Sequence, residues 1–263
     1  MQNKVILILV DGMRPDGIEQ CGNPYLIQLK QESTSCFSTQ TIMPSYTLPC
    51  HTSLFLSVGT ERHGITTNNW MPQVRPIDSL GDIVNKAEKK AAMFYNWEQL
   101  RDLNQPGSLH FSHFQRQVGD CEEVMNSEVE MTDKAIQYIL KESPDFVFIY
   151  LGFTDEAGHK YGWMSHEYLE AISTASNCIH KIKEIVSDEY QLIVTADHGG
   201  HQCTHGLDLP EDMTIPLIMN GSCFSPGKEL SSASIKDIAP TIATILGLSK
   251  PREWEGLNLS MVK

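Results

Sequence analysis

The sequence predicts an α/β domain built on a mainly parallel sheet, and three observations carry the prediction. Apolar runs of strand length, such as VILILV (5–10) and FVFIYL (146–151), are continuous rather than alternating, which suits strands covered on both faces. Segments with helical spacing alternate with these runs along the chain. Acids, or an acid with a histidine, stand just after several of the runs, at the strand ends where ligands collect in an open α/β sheet.

Taken in chain order, VILILV (5–10) is the first strand. Residues 23–31 (NPYLIQLKQ) form a helix, with Asn23 as a cap and Pro24 at its first position. A helix over 48–58 follows Thr47, with Pro49 in its first turn. Residues 79–90 are amphipathic with helical spacing, and AAMFYN (91–96) is a strand. A long helix over 122–142 is marked by Val129, Ala135, Ile136 and Ile139, and Pro144-Asp145 ends it before FVFIYL. A helix over 168–186, strands over 191–197 and 214–221, and a helix over 235–246 closed by Gly247 complete the pattern. The stretch 97–118, polar and aromatic, breaks the rhythm and reads as an irregular excursion, a small cap near the site. No repeat or linker interrupts the rest, so one domain over 1–263 is the economical reading.

Composition narrows the function. A formal net charge of −13 argues against a nucleic-acid groove, which needs a basic surface. It is compatible with a small phosphorylated substrate, because bound metals dominate the field of such a site. No apolar stretch is long enough to span a membrane, and Met1–Lys4 runs directly into a short apolar strand that ends at Asp11, without the form of a signal peptide. Seven cysteines, odd in number and without a CxxC pair, fit reduced thiols in a cytoplasmic protein. Oligomeric state is not legible.

The chemistry-bearing residues are Asp11, Thr47, Asp155, His159, Asp197, His198 and His205. Each has an ordinary structural alternative. Asp11 in VDG could merely cap a loop. Asp197-His198-Gly199-Gly200 could be a turn, although an acid and an imidazole together at a strand end rarely serve packing alone, and the glycines let the backbone bend sharply. Asp155 and His159 share one face if their segment is helical, and could equally be a cap and an exposed histidine. His205 has His201 as a neighbour and competitor. Thr47 could be a plain helix N-cap, and a helix N-terminus also favours a developing anion on a nucleophilic hydroxyl. His51 and His63 stay unassigned. Spacing alone supports a metal site of unspecified purpose.

Taken together, the order strand-DG, T-x-P-x-H (47–51), RHGI (62–65) with Asn68-Asn69, D-x-x-G-H (155–159), DHG (197–199) and a later histidine resembles the alkaline phosphatase superfamily. The likeness is to its type I phosphodiesterase/nucleotide pyrophosphatase branch, over about residues 5–248. It implies a three-layer α/β/α sandwich with a mainly parallel central sheet. It implies two divalent metal ions, zinc-type, with manganese or iron also compatible. Asp11, Thr47, Asp197 and His198 match the ligands of one, and Asp155, His159 and His205 those of the other. It further implies hydrolysis of phosphate esters through a phosphothreonine at Thr47, with phosphodiester or nucleotide pyrophosphate as the substrate class. The branch carries Asn three residues after the threonine, where this chain has Cys50, a poor donor. Cys50 and Asn69 are the candidate substrate contacts. Phosphomonoesterase, phosphonate hydrolase and a non-catalytic metal-binding pseudoenzyme are the alternatives. A sulfatase is disfavoured because His51 stands where that branch has Arg, and a metal-dependent phosphoglycerate mutase because the usual inserted domain has no room.

Overall fold

The computed structural model describes residues 3–104, 107–117, 119 and 121–261. The chain opens with β1 (Lys4–Val10), whose six apolar residues are fully buried. Helices α1 (Pro15–Gln20) and α2 (Tyr25–Gln31) lead to β2 (Thr34–Gln40). Then come α3 (Thr47–Leu56), α4 (Thr60–His63), α5 (Leu80–Lys86), β3 (Ala91–Tyr95) and β4 (Phe111–Phe114). The second half contains α6 (Cys121–Glu142), β5 (Phe146–Leu151), α7 (Phe153–Tyr161), α8 (His166–Ile185), β6 (Tyr190–Thr195), α9 (Pro210–Met213), β7 (Thr214–Asn220) and α10 (Ile238–Ile245).

The strands form one seven-stranded sheet in the order β2-β7-β6-β1-β5-β3-β4. Only β7 runs against the others, pairing antiparallel with both β6 and β2. One helical layer joins α1, α2, α6, α7 and α8, and the other joins α3, α4, α5 and α10. The result is the expected three-layer α/β/α sandwich with a mainly parallel sheet. Central strands buried on both faces explain why β1 and β5 read as unbroken apolar runs.

Departures from the sequence reading concentrate at the sheet edges. β2 (TSCFSTQ) carries no apolar run, because an edge strand needs only one covered face, and a bulge between Cys36 and Thr39 breaks its register. β4 lies inside the expected excursion, pairs parallel with β3, and alternates in burial as an edge strand does. A 3-10 turn over Glu98–Leu103 precedes it. Residues 105–106 and 118 of that excursion lie outside the described residues. Thr47 is the first residue of α3 rather than its cap, a position held by Tyr46 in extended conformation. Among the described residues no helix is long and apolar enough to cross a membrane.

Candidate metal centre

Sheet register gathers the acids. β1 lies between β5 and β6, parallel to both, with Val10 opposite Leu151 and Leu9 opposite Thr195. Their carboxyl ends therefore coincide. Asp11 follows β1 directly, Asp197 stands two residues past β6, and Asp155 sits in the first turn of α7 just beyond β5. Gly12 makes the crowding possible. Its φ of +67° suits glycine, and a β-carbon there would lie 3.3 Å from Asp155. Its N–H donates to Asp197 Oδ1 at 3.2 Å.

The seven expected residues converge. His198 Nε2 lies 3.2 Å from Asp11 Oδ1 and 3.4 Å from Asp197 Oδ2. Thr47 Oγ1 is 3.3 Å from the same nitrogen, at the N-terminus of α3. His205 Nε2 is 3.7 Å from Asp155 Oδ1, and His159 Nε2 is 3.5 Å from Asp155 Oδ2. The His198 and His205 rings stack with centroids 3.8 Å apart. Two groupings have donor atoms within 4.8 Å of one another, Asp11–Asp197–His198 and Asp155–His198–His205. His198 thus falls in both and His159 in neither, which differs from the division the resemblance implies. A single imidazole nitrogen serves one cation, so cation binding requires His198 to take one side.

Backbone carbonyls fix all three histidines. His198 Nδ1 pairs with Gly199 O at 2.8 Å, His205 Nδ1 with Ser45 O at 2.7 Å, and His159 Nδ1 with Cys203 O at 3.0 Å. A carbonyl only accepts, so each Nδ1 carries the proton and each Nε2 presents a lone pair. Around these lone pairs, Asp11 Oδ1, Asp155 Oδ1 and Asp197 Oδ2 are buried with no hydrogen-bond partner. Burial pushes the Asp11 and Asp155 carboxyls well above their usual range, and mutual repulsion adds to it. Burial lifts Asp197 to about 8 and drives His205 down to about 2. Three such carboxylates ionise together only beside cations, and neutral imidazole nitrogens with carboxylate oxygens form a donor set suited to zinc-type ions. The residues fit a divalent metal centre.

The surroundings hold this arrangement in place. Tyr150 donates its hydroxyl to Asp11 Oδ2 from β5. Trp163 Nε1 and the Tyr168 hydroxyl both donate to Gly12 O, at 3.0 and 2.8 Å. The Trp163 ring fills the space that side chains at Gly158 and Gly200 would need. His201 turns to Asp212, its Nδ1 2.7 Å from Oδ1, and so leaves the place to His205. His51 donates Nδ1 to the Thr47 carbonyl beneath the site, and His63 is packed against Ser53.

A cavity of about 150 Å³ opens over the cluster, walled by Thr47, Asn68, Asn96, Trp97, Gln117 and Glu156 together with Asp11, Asp155, His159 and His205. The two expected substrate contacts are not among its walls. Cys50 is fully buried on the inner side of α3, where the Thr41 hydroxyl donates to its sulfur at 3.2 Å. Asn69 is displaced by its neighbour: Asn68 lines the cavity, and its Oδ1 accepts from Leu48 N at 3.0 Å, capping α3. The Asn68-Asn69 pair was the only sequence signal for this residue. Trp97 and Gln117 belong to the stretch 97–118 expected to cap the site, whereas Tyr150, Asn96 and Trp163 carried no signal.

Comparison with known proteins follows the same line. Residues 5–215 match the sequence model of the type I phosphodiesterase / nucleotide pyrophosphatase family. The 2,3-bisphosphoglycerate-independent phosphoglycerate mutase of Clostridioides difficile (strain 630) is 30% identical over 140 residues, 51% of this chain but only 27% of the mutase. Murine ectonucleotide pyrophosphatase/phosphodiesterase 5, solved as an inactive variant in complex with AMP, is similar in fold with a TM-score of 0.80 at 14% identity, covering 95% of this chain and 96% of that one. A phosphonate monoester hydrolase from Silicibacter pomeroyi gives a TM-score of 0.72 at 16% identity, covering 98% and 76%.

Proposed function

This chain belongs to the type I phosphodiesterase/nucleotide pyrophosphatase family, and on that premise we propose that it is a two-metal hydrolase of phosphate esters, a phosphodiesterase acting through a phosphothreonine at Thr47. One observation carries the reading: the Thr47 hydroxyl stands at a helix N-terminus 3.3 Å from an imidazole lone pair, among three carboxylate oxygens that lack partners.

Asp11, Asp197 and His198 would hold one cation and Asp155, His159 and His205 the other, with zinc the best match to the donors. Bound there, such ions supply Lewis-acid charge that favours a threonine alkoxide and neutralises phosphoryl oxygens. Thr47 Oγ1 attacks phosphorus, the Thr47–phosphorus bond forms, the ester bond to the leaving alcohol breaks, and the alcohol takes up a proton. Water then attacks the phosphothreonine. Its oxygen bonds to phosphorus, the Thr47 bond breaks, and the threonine recovers its proton. The α3 N-terminus stabilises charge on the attacking oxygen. Asn68 has its Oδ1 engaged by Leu48 N, which leaves its Nδ2 donors for a phosphoryl oxygen. Tyr150 and the three carbonyl-held histidines keep the acids and lone pairs oriented.

The test is turnover of bis-p-nitrophenyl phosphate, p-nitrophenyl phosphate and p-nitrophenyl sulfate by the zinc-loaded protein, with Thr47→Ala alongside. Preference for the diester, abolished in the variant, is expected. Preference for the monoester would move the protein to the phosphatases. Turnover of all three unaffected by Thr47→Ala would overturn the mechanism.

A further inference from the structure

The wall of the cavity away from Thr47 has a chemical character of its own. Asn96, just past β3, is 4% exposed, and its Nδ2 donates to Glu128 Oε1 at 3.2 Å. Glu128 is fully buried and the same oxygen also accepts from Phe153 N at 2.9 Å, which anchors the acid and through it the amide. That orientation leaves Asn96 Oδ1 buried without a partner, against Gly152 on the cavity wall, where a β-carbon would come within 2.9 Å of it. Beside it stand the indole of Trp97, the Glu156 carboxylate and Gln117, whose Nε2 also lacks a partner. No lysine or arginine is among the described residues lining this cavity.

Asp11 and Asp155 face the histidine lone pairs, so their charge is committed there. Glu156 is not part of either grouping, and its charge is left to act on whatever occupies the wall. An additional anionic group seated on this wall would meet the Glu156 carboxylate with no lysine or arginine beside it. A cationic group would meet that carboxylate, a fixed carbonyl acceptor and an aromatic ring, the three elements that bind an ammonium. The cavity, about 150 Å³, has room for a small alcohol against this wall.

Resting on the phosphoesterase reading above, we propose that Asn96, Trp97 and Glu156 form a subsite for an ammonium group, so that the preferred substrates are phosphate esters of a small primary amino alcohol. The amine donates to Asn96 Oδ1 and to Glu156, and Gln117 Nε2 donates to an ester oxygen.

Three p-nitrophenyl phosphodiesters that differ only in the second alcohol decide the matter: 2-aminoethyl, n-propyl as its uncharged isostere, and carboxymethyl. The expected kcat/KM order is aminoethyl over propyl over carboxymethyl, with at least tenfold between the first two. Glu156→Gln, a change at an exposed position, should bring the aminoethyl-to-propyl ratio down severalfold, and free ethanolamine should compete where n-propanol does not. Equal rates for all three esters, still dependent on Thr47, would overturn the ammonium subsite while leaving the hydrolase reading intact. Turnover of none of them, nor of bis-p-nitrophenyl phosphate, would instead remove the reading on which the subsite rests.

Discussion

The indole of Trp163 lies so close over Gly200 that a β-carbon there would fall 2.2 Å from the ring. The same ring stands 5.1 Å from His159 and 5.9 Å from His205, edge-on to both. One side chain thus ties the DHGG turn to two candidate ligands.

Gly200→Ala should therefore act at a distance. The added methyl forces the indole aside, at a cost of about 1–3 kcal/mol of stability. Cation affinity should fall by roughly 10–100-fold, as happens when groups behind metal ligands are disturbed. Calorimetric titration with zinc reads this directly. Unchanged affinity would mean that the ring is packing only.

Thr47→Ala should lower turnover by roughly three orders of magnitude or more while leaving the fold intact. Acid quenching of the wild type during turnover, followed by peptide mass spectrometry, should place a phosphoryl group on Thr47. A phosphoryl group found on any other residue, or a fully active variant, would refute its role as nucleophile.

Much of this site was legible because its members follow buried strands. Asp11 and Asp197 end apolar runs that β1 and β6 place side by side, and sequence order alone suffices to guess that they meet. Thr47 and Asp155 needed the motif likeness, because a threonine before Leu-Pro and an acid near a helix start have commoner explanations. Asn96 and Tyr150 were not legible at all. Each belongs to a stretch that reads as sheet core, and nothing in the neighbouring residues tells which way its polar atoms turn. That Asn68 rather than Asn69 lines the cavity was not legible, because adjacent amides in a loop are separable only by backbone direction. The edge strand β2 escaped notice because Ser and Thr occupy positions where a central strand would carry Val or Ile.

Cation binding should release protons. With burial lifting Asp197 to about 8 and Asp11 and Asp155 well above their usual range, protons and cations compete for the same oxygens. Apparent zinc affinity should therefore rise with pH up to about 8. Titrations in two buffers of different ionisation enthalpy would expose the released protons, and a flat pH profile would contradict the buried-acid account. Saturation to about 100 times Kd should add about 2.7 kcal/mol of stability, seen as a higher melting temperature that EDTA reverses.

Glu128 provides a pH signature separate from the cluster. Burial raises its carboxyl from 4.5 to about 7, so the folded protein holds that proton more tightly than the unfolded chain. The stabilising contribution is complete below about 4.5 and is lost as pH rises through about 7. Glu128→Gln removes the titration. Relative to this variant, the wild type should lose on the order of 3 kcal/mol across that window. Parallel stability curves for the two proteins from pH 4 to 8 would show that the acid is not taxed by its burial.

The position of β1 has a consequence for how the molecule comes into being. The earliest strand lies in the middle of the sheet, and its two partners begin at residues 146 and 190. During synthesis six consecutive apolar residues must wait for more than half the chain before finding either neighbour. Such long-range pairing is slow, and a waiting apolar strand is where nascent chains stick to one another. Asp11 at its end keeps that segment from being wholly greasy. The acid that joins the buried cluster in the finished fold is, in the unfinished chain, the charge that closes the strand.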